Sequence, residues 1–268
     1  MRIDACFENA RKSGKTVLIP FVTAGDPLPA LTVAVMHRLV EGGADLIELG
    51  IPFSDPMADG PVIQASSERA IERGVDLEQV LSWVRQFRDN DAVTPIVLMG
   101  YMNPIERFGV SRFSQAAHAS GVDGLLMVDC PPEEMTELQD SLSARDIDII
   151  RLVAPTTSET RCRMITRHAK GFVYYVSFKG TTGAGSLDTK ALARPIAALK
   201  KLTSVPVVVG FGIKDSRSAR AVAEYADGVV IGSALVDRLA SAGTDQQVLD
   251  AALEFLAAIR SALDQGVR

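Results

Sequence analysis

Two carboxylates and three glycine-bearing segments are the residues of this chain whose types and spacing could do chemistry. Glu48 lies inside an apolar run, LIELGIPF (46–53), and Asp59 on the stretch that follows, in ELGIPFSDPMADG. A carboxylate carried into an apolar interior is costly to ionise, so its pKa rises. Such a group can both give and take a proton near neutrality. On residue type alone a core glutamate paired with an arginine fits Glu48 equally well. Asp55 and Asp59 stand among prolines and glycines, where acids often serve turns. Gly60-Pro61 opens what reads as a helix over VIQASSERAIERG, so Asp59 could also cap it. The pair on one strand and its loop is more suggestive than either acid alone.

The glycine-bearing segments are KGTTGAGS (179–186), GFGIKDSRSA (210–219) and IGSALV (231–236). Glycine lets backbone N–H groups approach an anion, and a helix start adds partial positive charge. Together they suggest a phosphate cradle; the competing reading is close backbone packing at strand ends. Phe21, Tyr101, Tyr174 and Phe211 could stack on a flat ring, or be plain core. His37, His118 and His168 fall on expected helices and take no catalytic or metal role.

The elements that must position these groups follow from periodicity. Short apolar runs recur at 17–23, 46–53, 95–101, 124–129, 148–154, 172–178, 205–212 and 228–236. Helical spacing occupies 30–44, 77–90, 110–121, 132–146, 218–226 and 245–265, and 7–14 reads as an extra helix ahead of the first strand. Strands buried on both faces and alternating with helices make parallel β/α units. Eight repeats without a GxGxxG after the first strand favour a closed (β/α)8 TIM barrel over an open sheet, with residues 1–268 as one domain. Active sites in this barrel sit at the C-terminal strand ends. Strand alternation puts Leu46, Glu48 and Gly50 on one face and Ile47, Leu49 and Ile51 on the other. The all-apolar set suits the helix layer, so Glu48 points into the barrel. The connections 53–76 and 178–188 are long, as functional lids are.

Composition narrows the field. Apolar residues are 47% and charged residues 23% of the chain, and the net charge is −5. That argues against a nucleic-acid footprint and against an anionic membrane surface. Cys6, Cys130 and Cys162 have no metal-type spacing and read as reduced thiols in a cytoplasmic protein. Cys130 follows an acid at a strand end, though a small filler is the plainer reading. No apolar run reaches the ~18 residues of a membrane helix.

The same residues carry a family likeness. ELGIPFSDPMADGPVIQ resembles the most diagnostic segment of the tryptophan synthase alpha subunits. The likeness extends through IPFVTAGDP, MGYMNP, VDCPPEE, YYVSFKGTTGAG and GFGI, nearly the whole chain. It implies an eightfold barrel that cleaves indole-3-glycerol phosphate to indole and glyceraldehyde 3-phosphate, with no cofactor of its own. It implies a partner, the pyridoxal-phosphate-dependent beta subunit, in an alpha2-beta2 heterotetramer. By this resemblance Glu48 and Asp59 are the catalytic acids. Phe21, Met99, Tyr101, Tyr174 and Phe211 line the indole and glycerol pocket. Gly183, Gly212, Gly232 and Ser233 cradle the phosphate, and Thr182 bonds Asp59 when the strand-six loop closes. Thr181 stands where valine is common, Met99 where leucine is frequent, and EYADGVV lacks a glycine often found there. Phe178-Lys179 occupies a variable place in the strand-six loop. Two rivals remain at this level: another phosphosugar enzyme on the same barrel, such as an isomerase, and a non-catalytic regulatory barrel.

Overall fold

The apolar runs form parallel strands: β1 (Val17–Thr23), β2 (Ile47–Gly50), β3 (Ile96–Gly100), β4 (Gly124–Met127), β5 (Asp148–Val153), β6 (Val173–Val176), β7 (Val207–Gly210) and β8 (Gly228–Ile231). A computed structural model describes residues 1–177, 189–210 and 212–265. Each strand pairs with the next, and β8 closes on β1 with Val17 opposite Gly228 and Pro20 opposite Ile231. The result is the expected TIM barrel.

Helices wrap it: α1 (Arg2–Lys12), α2 (Thr32–Glu41), α3 (Pro61–Glu72), α4 (Leu77–Arg88), α5 (Met102–Phe108), α6 (Val110–Ser120), α7 (Thr136–Ser143), α8 (Glu159–Thr166), α9 (Thr189–Lys200), α10 (Ser216–Ala223), α11 (Ser233–Ala240) and α12 (Asp245–Asp264). Local chemistry sets their ends. Asp76 caps α4 by accepting from the Gln79 amide, and Asp215 and Ser218 form a reciprocal capping box on α10. In α4, Val80, Leu81, Val84 and Phe87 recur at helical spacing and are buried as one stripe.

The core has two layers, as strand alternation requires. Ile19, Phe21, Leu46, Val97, Leu126, Ile150, Tyr174, Val208 and Val230 fill the barrel. Leu18, Val22, Ile47, Leu49 and Leu98 face the helices. At the N-terminal end of the strands α1 acts as a plug, with Ile3 and Phe7 packed into the interior set. The Phe7 ring lies 5.6 Å from that of Phe172. Arg2 holds Asp123 at 2.9 Å, and the other Asp123 oxygen accepts from Arg88 at 2.7 Å and from the Ile96 amide at 2.8 Å. Close by, Asp148 is buried with Oδ2 lacking a hydrogen-bond partner among the described residues. Burial, with the charge of Asp4, pushes its carboxyl up to about 6.

Several expectations shift. The helix expected over 7–14 begins at Arg2. The one expected over 132–146 is broken at Met135, between a short turn at Pro132–Glu134 and α7. The helix expected after Gly60-Pro61 is α3, and the run 228–236 ends as a strand at Ile231, with α11 starting at Ser233. His168 lies in a turn beyond α8 rather than on a helix. Helices α5, α8 and α9 are additions: α5 and α8 are short and α9 carries Pro195, so their periodicity is weak.

Candidate active site

Glu48 sits mid-β2, opposite Phe21 of β1 and Val97 of β3. Its face is the barrel interior, and it is 2% exposed. Its Oε1 has no hydrogen-bond partner, and no cation pairs with it, among the described residues. Burial first, then the negative charge of Asp59, pushes its carboxyl up to about 8. Near neutral pH the group is therefore a carboxylic acid that can still ionise.

Asp59 lies on the loop from β2 to α3. It does not cap that helix, because Gly60 holds the N-cap position. Its Oδ2 instead accepts from the Tyr101 hydroxyl at 2.9 Å. The same hydroxyl accepts from the Ala58 amide at 3.0 Å, and Gln64 Nε2 donates to the Asp59 carbonyl at 2.8 Å. The loop is thus stitched to the end of β3 and the start of α3. Burial raises the Asp59 carboxyl, and the Tyr101 hydrogen bond partly offsets it. Phe53 is half-buried with its ring 5.0 Å from Tyr101, whereas Met57 is 84% exposed.

Tyr174 is buried, and its phenol is raised by burial and by the charges of Glu48 and Asp59. Its ring fits because β7 ends in glycine: a Cβ on Gly210 would lie 1.9 Å from Tyr174 Oη. Gly50 does the same for Phe21, where a Cβ would lie 2.7 Å from Cζ. At these two strand ends glycine makes room for a ring, the packing role weighed against the anion role. Met99 is half-buried opposite Gly50. Gly232 precedes α11, and a Cβ on it would touch Phe21 Cβ at 3.4 Å, so the helix start that Ser233 opens lies over Phe21. Gly212 has φ +77°. Thr182, Gly183 and Phe211 lie outside the described residues.

Sequence reasoning missed the supports. Arg69 of α3 makes a two-pronged ion pair with Asp26 after β1, at 2.6 and 2.8 Å. Thr23 and Ser66 share a hydrogen bond of 2.6 Å beneath it. Buried polar residues late in an amphipathic helix were the available signal. Among the described residues no group of three or more His, Cys, Asp or Glu could hold a metal ion. The arrangement can carry a proton between two points of a bound molecule and hold a second carboxylate near developing positive charge.

Residues 7–264 match the family model described as Tryptophan synthase alpha chain. The tryptophan synthase alpha chain of Xanthomonas euvesicatoria pv. vesicatoria is 56% identical over 265 residues, covering 98% of this chain and 99% of that protein. That of Burkholderia cenocepacia strain J2315 is 56% identical over 264 residues, covering 98% and 97%. The crystal structure of tryptophan synthase subunit alpha from Legionella pneumophila str. Paris superposes with a TM-score of 0.92 at 44% identity, covering 98% of each chain. Agreement of fold and sequence over the full length, through the strand and loop that carry both acids, leaves one assignment: the chain belongs to the tryptophan synthase alpha chain family.

Proposed function

We propose that Glu48 and Asp59 are the two acids with which this chain performs its family's reaction. A tryptophan synthase alpha chain is a carbon–carbon lyase of tryptophan biosynthesis, cleaving indole-3-glycerol phosphate to indole and glyceraldehyde 3-phosphate. The single observation that carries the assignment is Glu48: buried inside the barrel, unpaired among the described residues, with its carboxyl raised to about 8.

The chemistry needs such a group. Protonated Glu48 gives its proton to ring carbon 3 of the indole, which interrupts aromaticity and leaves the ring nitrogen cationic. Asp59 faces that N–H and stabilises the charge. Glu48, now a carboxylate, takes the proton of the hydroxyl on the adjoining side-chain carbon. That oxygen forms the carbonyl of glyceraldehyde 3-phosphate as the bond to carbon 3 breaks. The electron pair returns to the ring, which leaves as indole, and Glu48 ends protonated as it began. Phe21, Met99, Tyr101, Tyr174 and Phe211 flank the ring and glycerol. Gly183, Gly212, Gly232 and Ser233 hold the phosphate, supported by the position of the α11 start over Phe21. By the family resemblance Thr182, outside the described residues, is the hydrogen-bond partner of Asp59.

The alpha chain needs no cofactor; the pyridoxal phosphate belongs to the beta subunit, its partner in an alpha2-beta2 complex. Among the described residues no helix is long and apolar enough to cross a membrane. A cytoplasmic location is proposed from the three thiols, unpaired with one another. Indole release from indole-3-glycerol phosphate, measured with and without the beta subunit on wild-type and Glu48→Gln protein, tests the assignment. A variant retaining more than about a tenth of wild-type turnover would remove Glu48 from the chemistry.

A further inference from the structure

Outside the barrel interior, one buried cation has no counter-ion. Arg151 lies on the face of β5 that carries Ile149 and Val153 toward the helices, and it is 6% exposed. No carboxylate lies within ion-pair distance of it among the described residues. Nη1 donates to the Met135 thioether at 3.0 Å, and Nη2 donates to Gln139 Oε1. A thioether is a weak acceptor, and a guanidinium has five N–H groups. Arg151 lines a cavity of ≈ 310 Å³. The lining mixes apolar side chains, Met127, Pro132 and Ile165 among them, with Asp129 and Cys130. Arg161 stands at the rim, already bound to both oxygens of Glu133. None of Glu48, Asp59, Tyr101 or Tyr174 lines this cavity.

An isolated buried charge is expensive, and chains rarely keep one without a partner. The volume sits at the small end of the ~300–1,000 Å³ of small-molecule sites. A guanidinium with N–H groups beyond the two that donate to Met135 and Gln139 can hold the oxygens of a carboxylate. Asp129 in the lining opposes a dianion, and Met127 and Ile165 offer contact to an apolar body. We propose that this cavity binds a small organic monocarboxylate, its carboxylate on Arg151 and its apolar body against Met127 and Ile165.

Titration of the full chain with benzoate, followed by amide resonances, tests this, with inorganic phosphate as the second probe. Benzoate should shift residues 127–135 and 149–153 saturably and leave 46–59 unmoved. Arg151→Met, which keeps an unbranched apolar stem and removes the charge, should lose at least about tenfold in affinity, as expected for a charge-assisted pair. In wild-type protein, where folding of the variant is not in question, Cys130 reports on the cavity directly. At ten times its Kd benzoate leaves about a tenth of sites open, so alkylation of Cys130 should slow about tenfold while Cys6 and Cys162 are unchanged. No saturable shift, shifts confined to the barrel mouth, undiminished binding to Arg151→Met, or an unprotected Cys130 would each overturn the proposal. Phosphate binding in preference to benzoate would overturn the assigned ligand class.

Discussion

At the scale of the residue, Glu48 ties stability to pH. Its carboxyl holds a proton more tightly in the folded chain than in the unfolded one, about 8 against 4.5. The folded state is therefore favoured at low pH, and the advantage is lost as pH rises from about 4.5 through about 8. The loss is up to about 5 kcal/mol. Urea denaturation at pH 5 and pH 9 should show a wild-type decline that Glu48→Gln flattens. The same substitution should lower turnover by about 10²–10⁴-fold, because an amide cannot shuttle the proton. Tyr101→Phe separates positioning from chemistry. It removes a hydrogen bond to the Asp59 carboxylate, worth about 1.5–3 kcal/mol. Turnover should fall about 10–100-fold with KM little changed, and an unchanged kcat would show that Tyr101 does not position Asp59. The inward face of Glu48 was legible from strand alternation alone. The Tyr101 contact was not, because it joins a strand end to a loop distant in sequence, and nothing in residue type selects one tyrosine over another.

At the scale of the element, α3 matters because it follows the loop carrying Asp59. Two contacts fasten it to the end of β1: the Asp26–Arg69 pair and the Thr23–Ser66 hydrogen bond. Asp26 is 6% exposed, so removing its partner strands a buried charge. The Arg69 side chain is partly open to solvent, which screens the pair. Arg69→Met should lower stability by about 1–3 kcal/mol in urea unfolding and reduce turnover along with it. Loss of stability with turnover at wild-type level would show that the loop holds itself. Strands and long helices were legible because two-residue and 3.6-residue patterns survive in short windows. The break at Met135 was not, since PEEMTELQDSLSARD has continuous helical spacing and only tertiary packing divides it.

At the scale of the molecule, one end of the barrel is sealed by α1. Phe7→Ala opens a cavity against Phe172 and should cost about 3–5 kcal/mol, read as a lower urea midpoint with unchanged slope. Asp148 lies beside this plug, and its folded carboxyl at about 6 stands above the unfolded 3.8. Stability is thus lost there as pH climbs from about 4 to about 6, and Asp148→Asn should regain on the order of 2 kcal/mol at pH 7. The eightfold closure was legible by counting runs. The plug was legible only as an extra helix, because its docking site is assembled from strands far along the chain.

That assembly has a consequence for how the protein is made. Translation delivers α1 ahead of the strands it packs against, at about 5–20 residues per second. Arg2 finds Asp123 and Phe7 finds Phe172 only after those later segments have left the ribosome. Until then the apolar face that α1 turns to the barrel, Ile3 and Phe7, has no partner to cover it. The last strand to emerge, β8, must pair with β1 before the cylinder exists for that helix to stopper.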